Sequence, residues 1–177
     1  LGIFAARGAP AHAASLSLDP PGGAYVGGST FEVSILLNSQ GKAINAFDVQ
    51  LEFPADKLQV MPEGNGHSIA AVWTMQPQYD NQRGLVRLQG GIPGGIVTQS
   101  GLILRIPFRV KQPGNALVRF LDKTRVLLHD GRGTDAFENA VNGMYSLTLP
   151  APAGPIVVSE THPDQTRWHA RSSVILS

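Results

Sequence analysis

The stretch AINAFDVQLEFPADKL, residues 43–58, decides how the rest of the chain is read. Phe47, Val49, Leu51 and Phe53 alternate with Asp48, Gln50 and Glu52, and Pro54 then stops the run. A period of two is the mark of a half-buried strand, because successive side chains point to opposite faces of a sheet. One face of this strand is greasy and the other carries acids and amides. The parity slips at its start: Ile44 and Ala46 would face away from the side that holds Phe47. A bulge or bend near Asn45 absorbs that slip.

The same period recurs on both sides at steps of about a dozen residues, the spacing of an all-β sandwich or barrel. Phe31, Val33, Ile35 and Leu37 share one face of a strand upstream. Downstream, Lys57 to Met61 and Ile69 to Met75 read as short strands, and Val86 and Leu88 alternate with Arg87 and Gln89. Leu102, Leu104, Ile106, Phe108 and Val110 form the clearest inward row. Pro107 lies inside that row and lacks an N–H, so the strand has an unpaired or bulged side there. Leu117 to Leu121 and Arg125 to Leu128 follow, and Tyr145, Leu147 and Leu149 close the series. Turn residues separate the runs: Pro20-Pro21-Gly22-Gly23, Gly27-Gly28, Gly90-Gly91, Pro93-Gly94-Gly95, Pro113-Gly114-Asn115 and Asp130-Gly131-Arg132-Gly133. No window has a helical period, and Ala136 to Asn142 makes one helical turn at most.

The bulk numbers agree. The 177 residues include 20 Gly and 13 Pro, which favours turns over long helices. Charged residues are 15% of the chain, the net charge is +1, and Lys and Arg form no run, so nothing asks for nucleic acid. Cysteine is absent, which removes disulfides and thiolate metal sites. No apolar run approaches the roughly 20 residues that cross a bilayer.

Four segments follow from composition. Residues 1–13 open LGIFAARGAPAHA, and Ala11-His12-Ala13 fits the small-x-small pattern of a signal-peptidase site. They read as a secretory-signal remnant or an N-terminal arm, and the protein as exported. Residues 14–149 are the sandwich. Residues 150–155, Pro-Ala-Pro-Ala-Gly-Pro, form a linker stiffened by proline. Residues 156–177 read as a C-terminal arm or the start of a following immunoglobulin-like or fibronectin-like domain.

The chemistry expected of a catalyst is not in the pattern. The five histidines, His12, His67, His129, His162 and His169, sit in no G-x-S-x-G or H-E-x-x-H context. Asp130, Asp135 and Glu138 gather carboxylates near a Gly-rich loop and are the candidate ligands for a calcium ion. The D-x-[DN]-x-[DN]-G pattern is missing, and Arg132 intrudes with the wrong charge. Trp73 and Tyr79 are candidate sugar contacts, since exposed rings stack on sugar faces.

The order of these parts resembles the cohesin domain, and more broadly the cohesin and cellulose-binding-module superfamily. The likeness covers about residues 14–149. It rests on Thr30-Phe31-Glu32-Val33-Ser34-Ile35, on Ile44 through Leu58, on Gly101 through Val110, and on Asn142-Gly143-Met144-Tyr145-Ser146-Leu147. The family's third-strand motif ends aromatic-Asp-Pro-x-x-Leu. Phe53 and Leu58 match it here, with Pro54 and Ala55 in place of Asp and Pro. The Asn often found two residues before the contact Asp is Ala46.

The resemblance implies a nine-stranded β-sandwich with jelly-roll topology, extended terminal arms and no catalysis. It implies attachment of a dockerin-like protein through one flat sheet face, with Asp48, Gln50, Arg87, Gln89 and Arg119 directed to the partner. A dockerin brings its own calcium. Two alternatives stay open: a structural subunit joined to other copies of itself by strand-exchanging arms, and a module that binds polysaccharide through Trp73 and Tyr79. All three place the protein outside a bacterial cell or at its surface.

Overall fold

The alternation seen in the sequence is an alternation of burial. Phe47, Val49 and Leu51 are at most 2% exposed, whereas Asp48, Gln50 and Glu52 keep partial access to solvent. Each large apolar side chain so buried contributes roughly 1.5–3 kcal/mol relative to leaving it in water. The computed structural model describes residues 14–61 and 66–152. These form twelve strands: β1 (Ala14–Asp19), β2 (Gly22–Val26), β3 (Thr30–Asn38), β4 (Ile44–Glu52), β5 (Leu58–Val60), β6 (Val72–Asp80), β7 (Leu85–Ile96), β8 (Gly101–Val110), β9 (Gly114–Phe120), β10 (Arg125–Leu128), β11 (Phe137–Val141) and β12 (Gly143–Thr148).

The strands make two sheets that face each other across one core. The five-stranded sheet runs β11-β1-β3-β8-β5, and the seven-stranded sheet runs β2-β12-β9-β4-β7-β6, with β10 also paired to β4. Inward residues of both sheets fill the space between them, among them Leu16, Val33, Phe108, Val49, Leu88 and Tyr145. The all-β sandwich is as expected. The count of nine strands is corrected to twelve among the described residues. The chain breaks at Pro20-Pro21, where it leaves the five-stranded sheet (β1) and joins the seven-stranded one (β2). Proline cannot donate to a ladder, so the break falls there. Ala14–Asp19 form an integral strand, paired to β3 and β11 of the same chain.

Four further expectations change. The helical turn at Ala136–Asn142 is instead β11, because its backbone groups are taken by distant strands. Ala136 donates to the Val126 carbonyl at 2.7 Å and accepts from Ala14 at 2.7 Å. Gly90-Gly91 and Pro93-Gly94-Gly95 do not end a strand, since β7 runs through them to Ile96. The strand expected over Ile69–Met75 starts later and runs longer, as β6, whose one ladder is to β7. As an edge strand it tolerates Pro77. Leu149, expected to close the series inward, lies past the end of β12 and is 70% exposed.

The bulge near Asn45 is present. The register of β4 shifts between Ile44 and Ala46 against β7, which lets Ile44 and Phe47 both point into the core. Pro107 sits opposite Glu32 of β3, and its carbonyl accepts from Met61 at 2.9 Å. In an antiparallel pair a residue's donor and acceptor point to the same neighbour. The donor Pro107 lacks therefore faces the β5 side, just beyond the end of that three-residue strand.

Residues 1–13, 62–65 and 153–177 lie outside the described part. The signal remnant or N-terminal arm, the second half of the linker and the C-terminal segment belong to them.

Candidate functional site

The five residues assigned to a partner-binding face come from three strands of one sheet. Asp48 and Gln50 lie on β4, Arg87 and Gln89 on β7, and Arg119 on β9. All five lie at positions whose neighbours point into the core, so they look outward from the seven-stranded sheet. Register brings them together. Asp48 lies opposite Gln89 and Gln50 opposite Arg87. The Gln89 amide donates to Asp48 Oδ2 at 2.8 Å. Arg119 forms an ion pair with Glu52 Oε2, at 2.8 Å from Nε and 2.6 Å from Nη2. Glu52 was absent from the residues picked by resemblance, although the alternation that selects Asp48 and Gln50 selects it too.

The edge of β4 under this face is completed by a side chain. β9 and β10 share the same edge of β4, with β9 on Leu51–Glu52 and β10 on Ile44–Asp48. Between them the fully buried Thr124 accepts from Gln50 N–H and donates to its carbonyl, each at 3.2 Å. The side chain replaces the missing strand at that point, so the backbone polar groups stay satisfied.

On the outer surface, Asp48, Thr74, Gln89 and Leu127 border an open trough of about 280 Å³ over Ala46 and Gly91, with Phe47 and Gly90 also lining it. The two glycines differ in origin. A Cβ on Gly90 would come within 2.4 Å of the Phe47 ring, so Gly90 is forced by packing. A Cβ on Gly91 would meet nothing nearer than the Val72 carbonyl at 3.9 Å. Sequence reading took both as turn residues and missed the trough. The visible signal was Ala46, the small outward residue opposite Gly91.

Trp73 and Tyr79 share one side of β6. Both are half-buried and pack on the core, Trp73 edge-on to Phe47 at 6.0 Å between centroids. Burial pushes the Tyr79 phenol up. The calcium candidates do not converge. Asp130 accepts from the Thr134 hydroxyl and the Arg132 N–H, and the Thr134 bond is the main cause holding its carboxyl below the usual range. Asp135 is engaged by Arg125 at 3.1 Å and by Phe137 N–H at 3.0 Å. Among the described residues no three His, Asp or Glu come together as a metal-binding group. No helix among them is long and apolar enough to cross a membrane.

Two facing sheets around one core, one of them with a polar outer surface, define a β-sandwich. No family model and no curated protein matches the sequence. Solved structures do match the fold. A chain of a type I cohesin–dockerin complex from Clostridium thermocellum has a TM-score of 0.64 at 11% identity, covering 78% of this chain and 96% of its own. CaCohA2 from Clostridium acetobutylicum has a TM-score of 0.62 at 14% identity, with 77% and 92% covered. A non-cellulosomal cohesin from the archaeon Archaeoglobus fulgidus has a TM-score of 0.59 at 14% identity, with 76% and 91% covered. The described part of this chain thus has the fold of cohesin domains.

Proposed function

We propose that this chain is a non-catalytic protein-binding module of an exported scaffold, which seats a dockerin-like partner on the outer face of its seven-stranded sheet. The observation that carries the reading is the convergence of Asp48, Gln50, Arg87, Gln89 and Arg119 on that one face. Their backbone is fixed by the sheet, so little conformational entropy is lost on docking. The complexes formed by structural neighbours with dockerins support a protein as the partner. The non-cellulosomal archaeal neighbour shows that the fold also serves outside cellulosomes.

The test is interferometry of the purified chain against a panel of purified type I dockerins, beginning with those of the Clostridium thermocellum complexes. A partner should lose at least about tenfold in affinity on Asp48→Arg or Arg87→Glu, because truncating or reversing interfacial charges typically costs 2 kcal/mol or more. Ser34→Arg and Arg105→Glu, on the opposite sheet, should leave binding unchanged. Loss of binding through the Ser34 and Arg105 variants alone would move the interface to the other sheet and end the proposal.

A further inference from the structure

The trough at the centre of the seven-stranded face has a definite chemistry. Its floor is Ala46 and Gly91, its apolar wall is Leu127, and its polar wall is Asp48 with Gln89 and Thr74. We infer that it is a subsite for one cationic side chain, a lysine or arginine, presented by the docked partner. The inference rests on the binding-face reading above and adds to it the chemistry of the partner's anchor.

Charge is the first argument. Asp48 is half-buried, and among the described residues the neutral Gln89 amide is the hydrogen-bond partner of its carboxylate. The other acids of this sheet's strands have cations: Glu52 has Arg119, and Asp80 has Arg83. Arg125 lies directly across from Asp48 in the β10–β4 ladder and does not serve it. Its guanidinium goes to Asp135 at 3.1 Å and to the carbonyls of Asp122 and Thr124. The described chain thus holds a carboxylate at the rim of a trough and commits the cation across from it elsewhere. A carboxylate partially removed from water is stabilised by a charge-assisted hydrogen bond from a cation, which is roughly twice as strong as one from a neutral donor.

Space is the second argument. Gly91 has an ordinary strand backbone and open room for a side chain, yet has none. Glycine in a strand interior weakens it, and often marks the close approach of a ligand or another backbone. A short hydroxyl side chain could reach Asp48 but would leave most of the 280 Å³ unfilled. Lysine and arginine carry three or four methylenes behind the charge. These can lie over Ala46, Gly91 and Leu127 while the head meets the carboxylate. An acidic side chain is repelled by Asp48, and a purely apolar one leaves that carboxylate desolvated and unpaired.

The experiment follows backbone amides of the isotope-labelled chain by NMR during titration with n-butylammonium chloride, a lysine side-chain surrogate, and with n-butanol. Butylammonium should give saturable shifts at Ala46, Asp48, Thr74, Gln89 and Gly91, and butanol should bind about tenfold more weakly or not at all. Asp48→Asn, which preserves shape, should weaken the ammonium at least about tenfold, in line with hydrogen bonds to charged groups. Gly91→Leu, which fills the trough from its floor, should abolish the shifts. Equal response to butanol, or ammonium shifts unchanged by Asp48→Asn, overturns the inference. The two readings fail separately. A dockerin held equally well by wild type, Asp48→Asn and Gly91→Leu keeps the binding face and removes the subsite. Ammonium binding here, with all protein partners mapping to the other sheet, keeps the subsite and removes the binding face.

Discussion

Replacing Tyr145 by Phe should destabilise the protein at neutral pH and cease to do so near pH 11. Tyr145 on β12 is fully buried, and its hydroxyl donates to the Pro20 carbonyl at 2.8 Å, where the chain passes from one sheet to the other. Its ring packs against Phe31 at 5.1 Å and lies over Gly143, which has no Cβ to obstruct it. Phenylalanine keeps that packing and loses the hydrogen bond, so the cost at pH 7 is about 1 kcal/mol. Burial, reinforced by repulsion from Tyr25 and Asp19, pushes the Tyr145 phenol well above its ordinary value. The native hydroxyl therefore stays protonated when the unfolded one ionises. With the folded pKa raised, the tyrosine's contribution is complete below the unfolded pKa of about 10 and declines as pH rises above it. One unit above, at pH 11, the loss is about 1.4 kcal/mol. That matches the hydrogen bond, and the wild-type and variant curves should meet there and cross beyond. Tyr25 and Tyr79 are present in both proteins and cancel. Urea unfolding followed by tryptophan fluorescence from pH 7 to 11.5 measures this. A difference that stays constant or widens over the range refutes the reasoning.

Four other outcomes follow from particular contacts. Gly90→Ala should cost about 1–3 kcal/mol in urea unfolding, because its methyl would lie 2.4 Å from the Phe47 ring. Gly91→Ala, with nothing nearer than 3.9 Å, should be neutral or gain up to about 1 kcal/mol. Asn81 clamps β5 by accepting from Val60 N–H at 2.8 Å and donating to its carbonyl at 2.9 Å. Asn81→Ala should cost about 1–3 kcal/mol and speed hydrogen exchange at Val60. Arg119→Ala breaks an exposed ion pair with Glu52, and thermal melting should register less than about 1 kcal/mol. Any large effect of that change belongs in the binding assay.

The alternation in Phe31–Leu37 and Phe47–Phe53 made the sandwich legible, because burying one face of a strand fixes which residues look inward. It also made legible that Asp48, Gln50, Arg87 and Gln89 look outward. What it could not supply was which outward residues meet, since cross-strand register is a relation between distant segments. The Asp48–Gln89 bond spans 41 residues, and Thr124 reaches Gln50 across 74. Glycine misled in β7, where Gly90-Gly91 had the signature of a turn. One of the pair makes room for a ring of the neighbouring strand, a demand invisible without that neighbour. β11 was missed for a similar reason: its pattern FENAV has no clean period, and parallel pairing with β1 holds it in place. Trp73 and Tyr79 were legible as aromatics, and the period of two along Val72–Tyr79 sets both on the half-buried side of β6.

The course of β1 and β12 bears on how the body would carry tension. The polypeptide enters β1 beside Asn38, at one end of β3, and leaves β12 beside Val26 and the Gly27–Gly28 turn, at the other. β2 and β12 run parallel, so pulling on both ends of the chain slides these two strands past one another. Their hydrogen bonds would then resist together and not open one after another like a zipper. A string of such bodies would be loaded lengthwise, with each seven-stranded face left free along its flank.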